Sequence, residues 1–489
     1  MGRADGTGRL FPLSFKGSLR FMKMESKIVG TLLEISINNL LRNEPATIHA
    51  MEELPIDIFI PLFTSALGNR QKNVLKALVR CWPYHCLHVG TLNIPESSYD
   101  ILEAMVDGLQ FVPAQNSSSG GSKLRILDLR HDPDCEIICS YRAKHSFCFL
   151  SCVYSQHSML KAKDGEHNVM CLGMDSSEST PLPALKTMEL LMDLNFNYTL
   201  VETQFLSFLK NKIEQSSGSL HLCCRSLQID DIDVYKNSLQ IMDLVCIDRL
   251  ELQKAHLRDI NMLLSQLSHL ESLTLIDVEC RSCKGKIFKT FLSCLGNLNN
   301  LEELNLSFFC LTDQLKKILS VLRPQLDILS LTVCDLSNKD LSILSQSTQS
   351  SHLKLLNLSN NQIFWEGSEP FQTLLERVSG TIQYLEINNC QITDSSLTAI
   401  LPALSSCSHL RVFSFACNSI TMSALVSVVR HLTGLKELRY VIYPVPLDCY
   451  EQGDVNGNLD QEKVASLHNQ LKLLLELAHR EDMRWTSLP

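Results

Sequence analysis

The chain has 489 residues, 45% of them hydrophobic, with a formal net charge of -9 and a pI near 5.9. That acidity argues against a nucleic-acid binder, which needs a basic stripe to neutralise phosphates, and the sequence offers no apolar run of about 18 residues to span a bilayer. Its 19 cysteines are spread along the chain rather than grouped as a small disulfide framework, which places it in a reducing compartment: the cytoplasm, with the nucleus as a second location.

Residues 1–44 are expected to be a flexible N-terminal extension holding one amphipathic stretch, VGTLLEISINNLL. Its LFPLSF run at Leu10 is soon broken by Lys16 and Arg20, unlike a secretory signal. Residues 45–112 carry apolar positions at helical spacing and predict a helical cap. Inside the cap, Leu54-Pro55-Ile56-Asp57-Ile58-Phe59 opens a helix in which proline is tolerated in the first turn. Leu54, Pro55, Ile58, Phe59, Leu62 and Phe63 then suit an apolar ridge that docks into a partner's groove, as the F-box and cullin-box helices do. The same residues equally suit packing of the cap onto the first repeat.

Residues 113–246 follow a Gly- and Ser-bearing break, QNSSSGGSK, and read as degenerate early repeats around LRILDL at Leu124 and CRSLQI at Cys224. A polar stretch without periodicity, residues 161–183, is expected to be a mobile loop interrupting them. From 247 to 445 the pattern L-x-x-L-x-L recurs as LESLTL at Leu270, LEELNL at Leu301, LDILSL at Leu326, LKLLNL at Leu353, IQYLEI at Ile382 and LRVFSF at Leu410, with weaker copies at Ile247 and Leu435. Spacings of 25 to 31 residues suit a leucine-rich repeat made of a strand and a returning helix. In LKLLNLSNNQI, Leu353, Leu356, Leu358 and Ile363 fill the interior, while Asn361, like Cys334, Cys390 and Asn418 in other copies, serves the turn. Thr-Asp pairs at Thr312 and Thr393 mark helix starts. The fold class is therefore α/β: a leucine-rich-repeat solenoid, or horseshoe, with parallel concave strands, outer helices and an N-terminal helical cap. Residues 446–489 contain VASLHNQLKLLLELAHR, a C-terminal helix to close the open end of the core.

No constellation for catalysis stands out, so no enzyme, cofactor or metal is expected. Cys280 and Cys283 form a lone C-x-x-C without a second pair, and Cys81, Cys223 and Cys224 lie in apolar surroundings that suit the core. Leu471 to Leu475 matches the L-x-x-L-L box of nuclear-receptor ligands but falls on the capping helix. The position before the second leucine of each repeat should face the concave side; it reads Arg249, Ser272, Glu303, Ile328, Leu355, Tyr384, Val412 and Glu437. Ile328, Leu355, Tyr384 and Val412 thus predict an apolar stripe with an aromatic anchor for a protein client, unless the loop at 161–183 or a tail covers it.

The ordered series MEELPIDIFIPLF at Met51, LKALVRCWPYHCLHVG at Leu75, LRILDLR at Leu124, LHLCCRSLQI at Leu220, the repeat array and YPVPLDCY at Tyr443 resembles the PRAME family, in its rodent oogenesin-like branch. The resemblance covers Glu44 to Trp485. It implies a substrate-recognition adaptor for a cullin-2 ubiquitin ligase with elongin B/C, germline expression, and regulation of transcription, differentiation and apoptosis. The alternative it leaves is a transcriptional corepressor that binds a nuclear receptor without recruiting a ligase. An elongin box of the form L-x-x-x-C-x-x-x-apolar is not completed at Leu220, where the ninth residue is Gln228.

Overall fold

In this computed structural model the described residues are 31–84, 86–89, 99–109, 123–130, 188–196, 200–232, 238–278, 285–451 and 457–488. The segment 161–183 and the Cys280–Cys283 pair lie outside them.

The cap is helical: α1 (Leu32–Arg42), α2 (Glu44–His49), α3 (Ile56–Gly68), α4 (Lys72–Arg80) and α5 (Tyr99–Asp107). Helix α1 falls within the stretch expected to be a flexible extension, and there the expectation is corrected. Thr31 and Glu34 form a reciprocal capping box, and Ile37 and Leu41 are buried in the core of the cap. An amphipathic helix with that much apolar surface gains more by packing than by remaining free. The centre of the cap is Trp82, against whose ring Phe59 and Phe63 stand edge-on at 6.2 and 5.4 Å. Its indole N–H donates to the Cys86 carbonyl at 3.0 Å.

The strands form two parallel sheets. The first has four strands in the order β1 (Cys86–His88), β2 (Ile126–Asp128), β3 (Met188–Leu191) and β5 (Leu220–Cys223). The second has eleven, running β4 (Leu194–Phe196), β6 (Ser226–Ile229), then β7 to β15 in chain order. The chain crosses twice from the first sheet to the second, from β3 to β4 and from β5 to β6, each time within two residues. Between these crossings lies α6 (Leu200–Gln215), tied to the cap by Lys212, whose ammonium donates to Asp107 at 2.7 Å. Lys76 grips the same carboxylate, and the two ammonium groups hold Asp107 below the usual carboxylate range.

Strands β7 (Arg249–Gln253), β8 (Ser272–Ile276), β9 (Glu303–Ser307), β10 (Ile328–Thr332), β11 (Leu355–Asn357), β12 (Tyr384–Glu386), β13 (Val412–Ser414) and β14 (Tyr440–Pro444) carry the repeats. Their alternate inward positions, from Leu250 and Leu252 through Leu356 and Leu358 to Val441 and Tyr443, are almost wholly buried. Five residues beyond each strand start from β7 to β13, the backbone turns through positive φ: Lys254, Asp277, Phe308, Val333, Asn360, Asn389 and Cys417. One residue further, Asn361 and Asn418 are buried and bind the turn of the preceding repeat. The expected turn role of asparagine is met, and Cys334 and Cys390 occupy the same place in the intervening repeats with buried thiols.

The returning helices close the layer. Thr393 caps α12 (Asp394–Ser405) as the Thr-Asp signal predicts. Thr312 does not cap its helix, which starts only at Leu315. Its hydroxyl donates instead to the Asp335 carbonyl of the next repeat, so a neighbour has taken the group a local cap would use. At the far end, α14 (Gln461–Leu477) buries Leu467, Leu471 and Leu475, and β15 (Arg484–Leu488) adds a parallel strand beyond β14 where a helical cap alone was expected. No helix among the described residues is long and apolar enough to cross a membrane.

Candidate functional site

The face of the second sheet turned away from the helices carries one residue per strand at the same height from β6 to β15. The register links Ser226, Arg249, Ser272, Glu303, Ile328, Leu355, Tyr384, Val412, Tyr440 and Arg484 in a single row. Ile328, Leu355, Tyr384 and Val412 are thus side by side as predicted. Glu437 is not in the row and is replaced by Tyr440. The last repeat starts at Leu438 rather than Leu435, because Leu438, Val441 and Tyr443 supply the buried alternate positions that the strand needs.

With that correction the apolar part of the row spans five strands, roughly 19 Å at the usual strand spacing. Ile328, Leu355 and Val412 are half-buried between their neighbours, while Tyr384 and Tyr440 stand out at 37% and 47% exposure. Arg484 closes the row, its guanidinium carbon 5.9 Å from the centre of the Tyr440 ring, within cation–π range. Two residues further along the strands from β6 to β13 the surface is polar and cross-linked: Asn305 donates to Thr274 at 3.1 Å, and Asn357 to Glu386 at 2.9 Å. Burial in this polar row pushes the Glu386 carboxyl above its ordinary range.

The residues just before the strands form a rim whose charge reverses. Asp248, Glu271, Glu302 and Asp327 precede β7 to β10; Lys354, Arg411 and Arg439 precede β11, β13 and β14, with Gln383 between them. Lys354 meets Asp327 at 2.6 Å where the sign changes, and this partner raises the lysine above its usual range. The basic half of the rim therefore borders the apolar half of the row.

In the cap, the six residues singled out for recruitment separate by face. Phe59, Leu62 and Phe63 are buried, the two phenylalanines against Trp82, so they hold the cap together and do not form an outward ridge. Leu54 and Ile58 are half-buried against the same core, and Pro55 is exposed at the helix start. The exposed apolar residue next to it is Ile56, at 51%. On a helical wheel Ile56, Phe59 and Phe63 stand at i, i+3 and i+7 and share one face, so spacing alone does not separate the exposed Ile56 from the buried phenylalanines.

Other predicted sites fall inside. Leu471 and Leu475 are buried beneath the C-terminal helix and Leu474 is half-buried. Leu220 and Cys224 are buried in or beside strands. Cys81 donates its thiol to the Ala77 carbonyl at 2.8 Å, and burial pushes it up to about 11.

Comparison with known proteins matches residues 29–136 to the model of the PRAME N-terminal domain and residues 188–485 to that of the PRAME C-terminal domain. Human PRAME family member 8 is 32% identical over 456 residues, covering 90% of this chain and 91% of its own. Leucine-rich repeat-containing protein 14 of Rattus norvegicus is 29% identical over 504 residues, covering 94% of this chain and 97% of its own. Among solved structures, a chain from the crystal structure of the Rad7 and Elc1 complex in yeast aligns at a TM-score of 0.38 and 13% identity, over 85% of this chain and 87% of that one.

Proposed function

Because this chain belongs to the PRAME family, we propose that it is a non-catalytic substrate-recognition adaptor: its repeat sheet holds a client protein and its cap joins a cullin-2 ubiquitin ligase with elongin B/C. The observation that carries the client half is the row Ile328, Leu355, Tyr384, Val412 and Tyr440, five strands wide and in register. Apolar residues with exposed aromatic anchors on a rigid face are what a protein-binding hot spot requires. The basic rim beside it, Lys354, Arg411 and Arg439, with Arg484 at the end of the row, suits a client segment whose apolar residues are flanked by acidic ones.

The recruiting half rests on the start of α3. With Phe59, Leu62 and Phe63 committed to the core, the surface for a ligase subunit is Pro55, Ile56 and the outer side of Leu54 and Ile58. The corepressor alternative has weaker support, since receptor binding through Leu471 and Leu475 needs the C-terminal helix to lift off the last repeat.

Affinity purification of the tagged full chain from cells tests both halves, with cullin-2, elongin B/C and ubiquitylated clients quantified together. Ile56→Asp is expected to lose the ligase subunits and keep the clients, whereas Tyr384→Ala with Tyr440→Ala is expected to do the reverse. Recovery of the ligase undiminished by Ile56→Asp, or of clients undiminished by the tyrosine changes, would remove the corresponding half of the proposal.

A further inference from the structure

A cluster of metal-ligand side chains lies well away from both proposed binding surfaces, at the edge of the first sheet. His221 and Cys223 alternate along β5 and so project to the same side of it. Asp243 and Cys246 flank a single 3₁₀ turn, Leu244–Cys246, and at three residues per turn they also share a side. One carboxylate oxygen of Asp243 caps that turn, accepting from the Val245 N–H at 3.1 Å, while the other faces the His221 Nε2 at 3.3 Å. The donor atoms of His221, Asp243 and Cys246 all lie within 4.8 Å of one another, the one such group among the described residues. The Cys223 thiol is outside this 4.8 Å group but close enough to the Cys246 thiol to raise its pKa, and both cysteines are free.

We propose that His221, Cys223, Asp243 and Cys246 form a structural zinc site. Tetrahedral zinc with bonds of about 2.0–2.3 Å sets its ligands roughly 3.3–3.8 Å apart. The His221–Asp243 separation of 3.3 Å already has that value, and the widest of the three separations needs to close by at most about 1–1.5 Å. Two thiolates, an imidazole and a carboxylate select zinc over magnesium or calcium, which prefer all-oxygen shells. On binding, the two thiol protons leave to solvent and the new Zn–S bonds take their place. Glu189, buried and paired in register with His221 on β3, supplies a carboxylate next to the imidazole, the position from which outer partners orient metal-bound histidines.

The placement gives the ion a task. Strand β5 is the last of the first sheet, and Asp243 to Cys246 lead directly into β7 of the second. Zinc would staple one sheet's edge to the chain entering the other and stiffen the step between the cap side and the repeat array.

The full-length protein, purified under reducing conditions without chelator, should contain one equivalent of zinc by elemental mass spectrometry. Cys246→Ala and His221→Asn should each weaken zinc at least tenfold in competition with a chromophoric chelator, and Cys310→Ser, an exposed cysteine elsewhere, should not. Cobalt substitution should give visible bands of tetrahedral geometry and a near-ultraviolet thiolate band, both lost in Cys246→Ala. Should Cys246→Ala lose its circular dichroism signature, the exposed Asp243→Ala carries the same comparison. Absence of stoichiometric zinc after reconstitution, zinc retained at full strength by the ligand variants, or a Cys223–Cys246 disulfide in the protein isolated with its thiols alkylated would each overturn the assignment.

Discussion

Replacing Asn361 by alanine is the sharpest probe of how the repeats are joined. The side chain is 1% exposed and its carboxamide makes five hydrogen bonds. Its oxygen accepts from the backbone N–H of Cys334 and Leu336, at 3.0 and 3.2 Å, and its nitrogen donates to the carbonyls of Leu331, Leu358 and Ser359. Alanine leaves two buried N–H groups without an acceptor. At about 1–3 kcal/mol for each orphaned group, and less for carbonyls that keep a second lone pair, the loss is about 3–5 kcal/mol. A solenoid of this length need not unfold in one step, so the effect is best read locally. Hydrogen exchange by mass spectrometry over Cys334 to Leu336 should accelerate by about a hundredfold or more, since about 1.4 kcal/mol corresponds to a factor of ten. Asn418→Ala should act in the same way on Cys390 and Ile392, whose N–H groups it accepts. Asn299→Ala, an exposed residue that accepts one side-chain bond from Arg323, should change little. Acceleration below about fivefold in Asn361→Ala would mean the orphaned groups find water or new partners, and the ladder would not be what couples the repeats.

Gly108→Ala should destabilise the cap by about 1–3 kcal/mol, because the added Cβ would stand 2.5 Å from the Lys76 carbonyl and 3.0 Å from Val79 Cβ; an unchanged urea midpoint would show that α4 and α5 can separate freely. Burial raises the Glu386 carboxyl above 4.5, so its contribution to stability is fully present in acid below that value and is lost as pH rises through the folded pKa. Glu386→Gln should therefore be the more stable protein at pH 7 and lose its advantage towards pH 4, as followed by melting across that range. Phe308, half exposed, is held at φ 55°, a region that costs a bulky residue about 1–2 kcal/mol. Phe308→Asn should raise the unfolding free energy by about 1 kcal/mol, and Asn360→Val at the equivalent turn should lower it by a similar amount; opposite signs would show that side-chain contacts outweigh the backbone at these turns.

The repeat array was legible because each inward leucine reports on the same geometric constraint twenty-five to thirty-one residues later. Register failed where two leucines competed: Leu435 and Leu438 both fit the start of the last copy, and only the parallel pairing of Val412 with Tyr440 decides between them. Strand β15 was missed because a single Trp-Thr-Ser-Leu segment after a strong helix has no repeat of its own to signal it. In the cap, helical spacing identified the apolar residues of α3 but not which of them face Trp82, since that depends on contacts across the chain. The zinc cluster left no contiguous motif at all. His221 and Cys223 sit two apart on a strand, and Asp243 and Cys246 have the C-x-x-C spacing but with an aspartate in place of the first cysteine, so neither pair is the motif that a sequence search looks for.

An adaptor works only if the two things it binds are held at a fixed separation and angle. Within the repeat array that is assured by the register, which locks each strand to its neighbours. Among the described residues the parallel sheet is stepped at one place, where β3 passes into β4 and β5 into β6. Groups that resist movement collect there. Asp128 and Arg130 form a buried bidentate pair at 2.9 and 3.0 Å, Arg225 reaches Asp248, and Asp193 accepts from the Ser226 N–H at 3.3 Å across the step. The Asp128–Arg130 pair is the fully buried one, and such a pair adds little to stability compared with apolar packing of the same volume but tolerates only one geometry. The concentration of these groups at the step, together with the proposed zinc ligands beside it, is what would be expected if stiffness between cap and client surface, rather than stability as such, is what this part of the chain supplies.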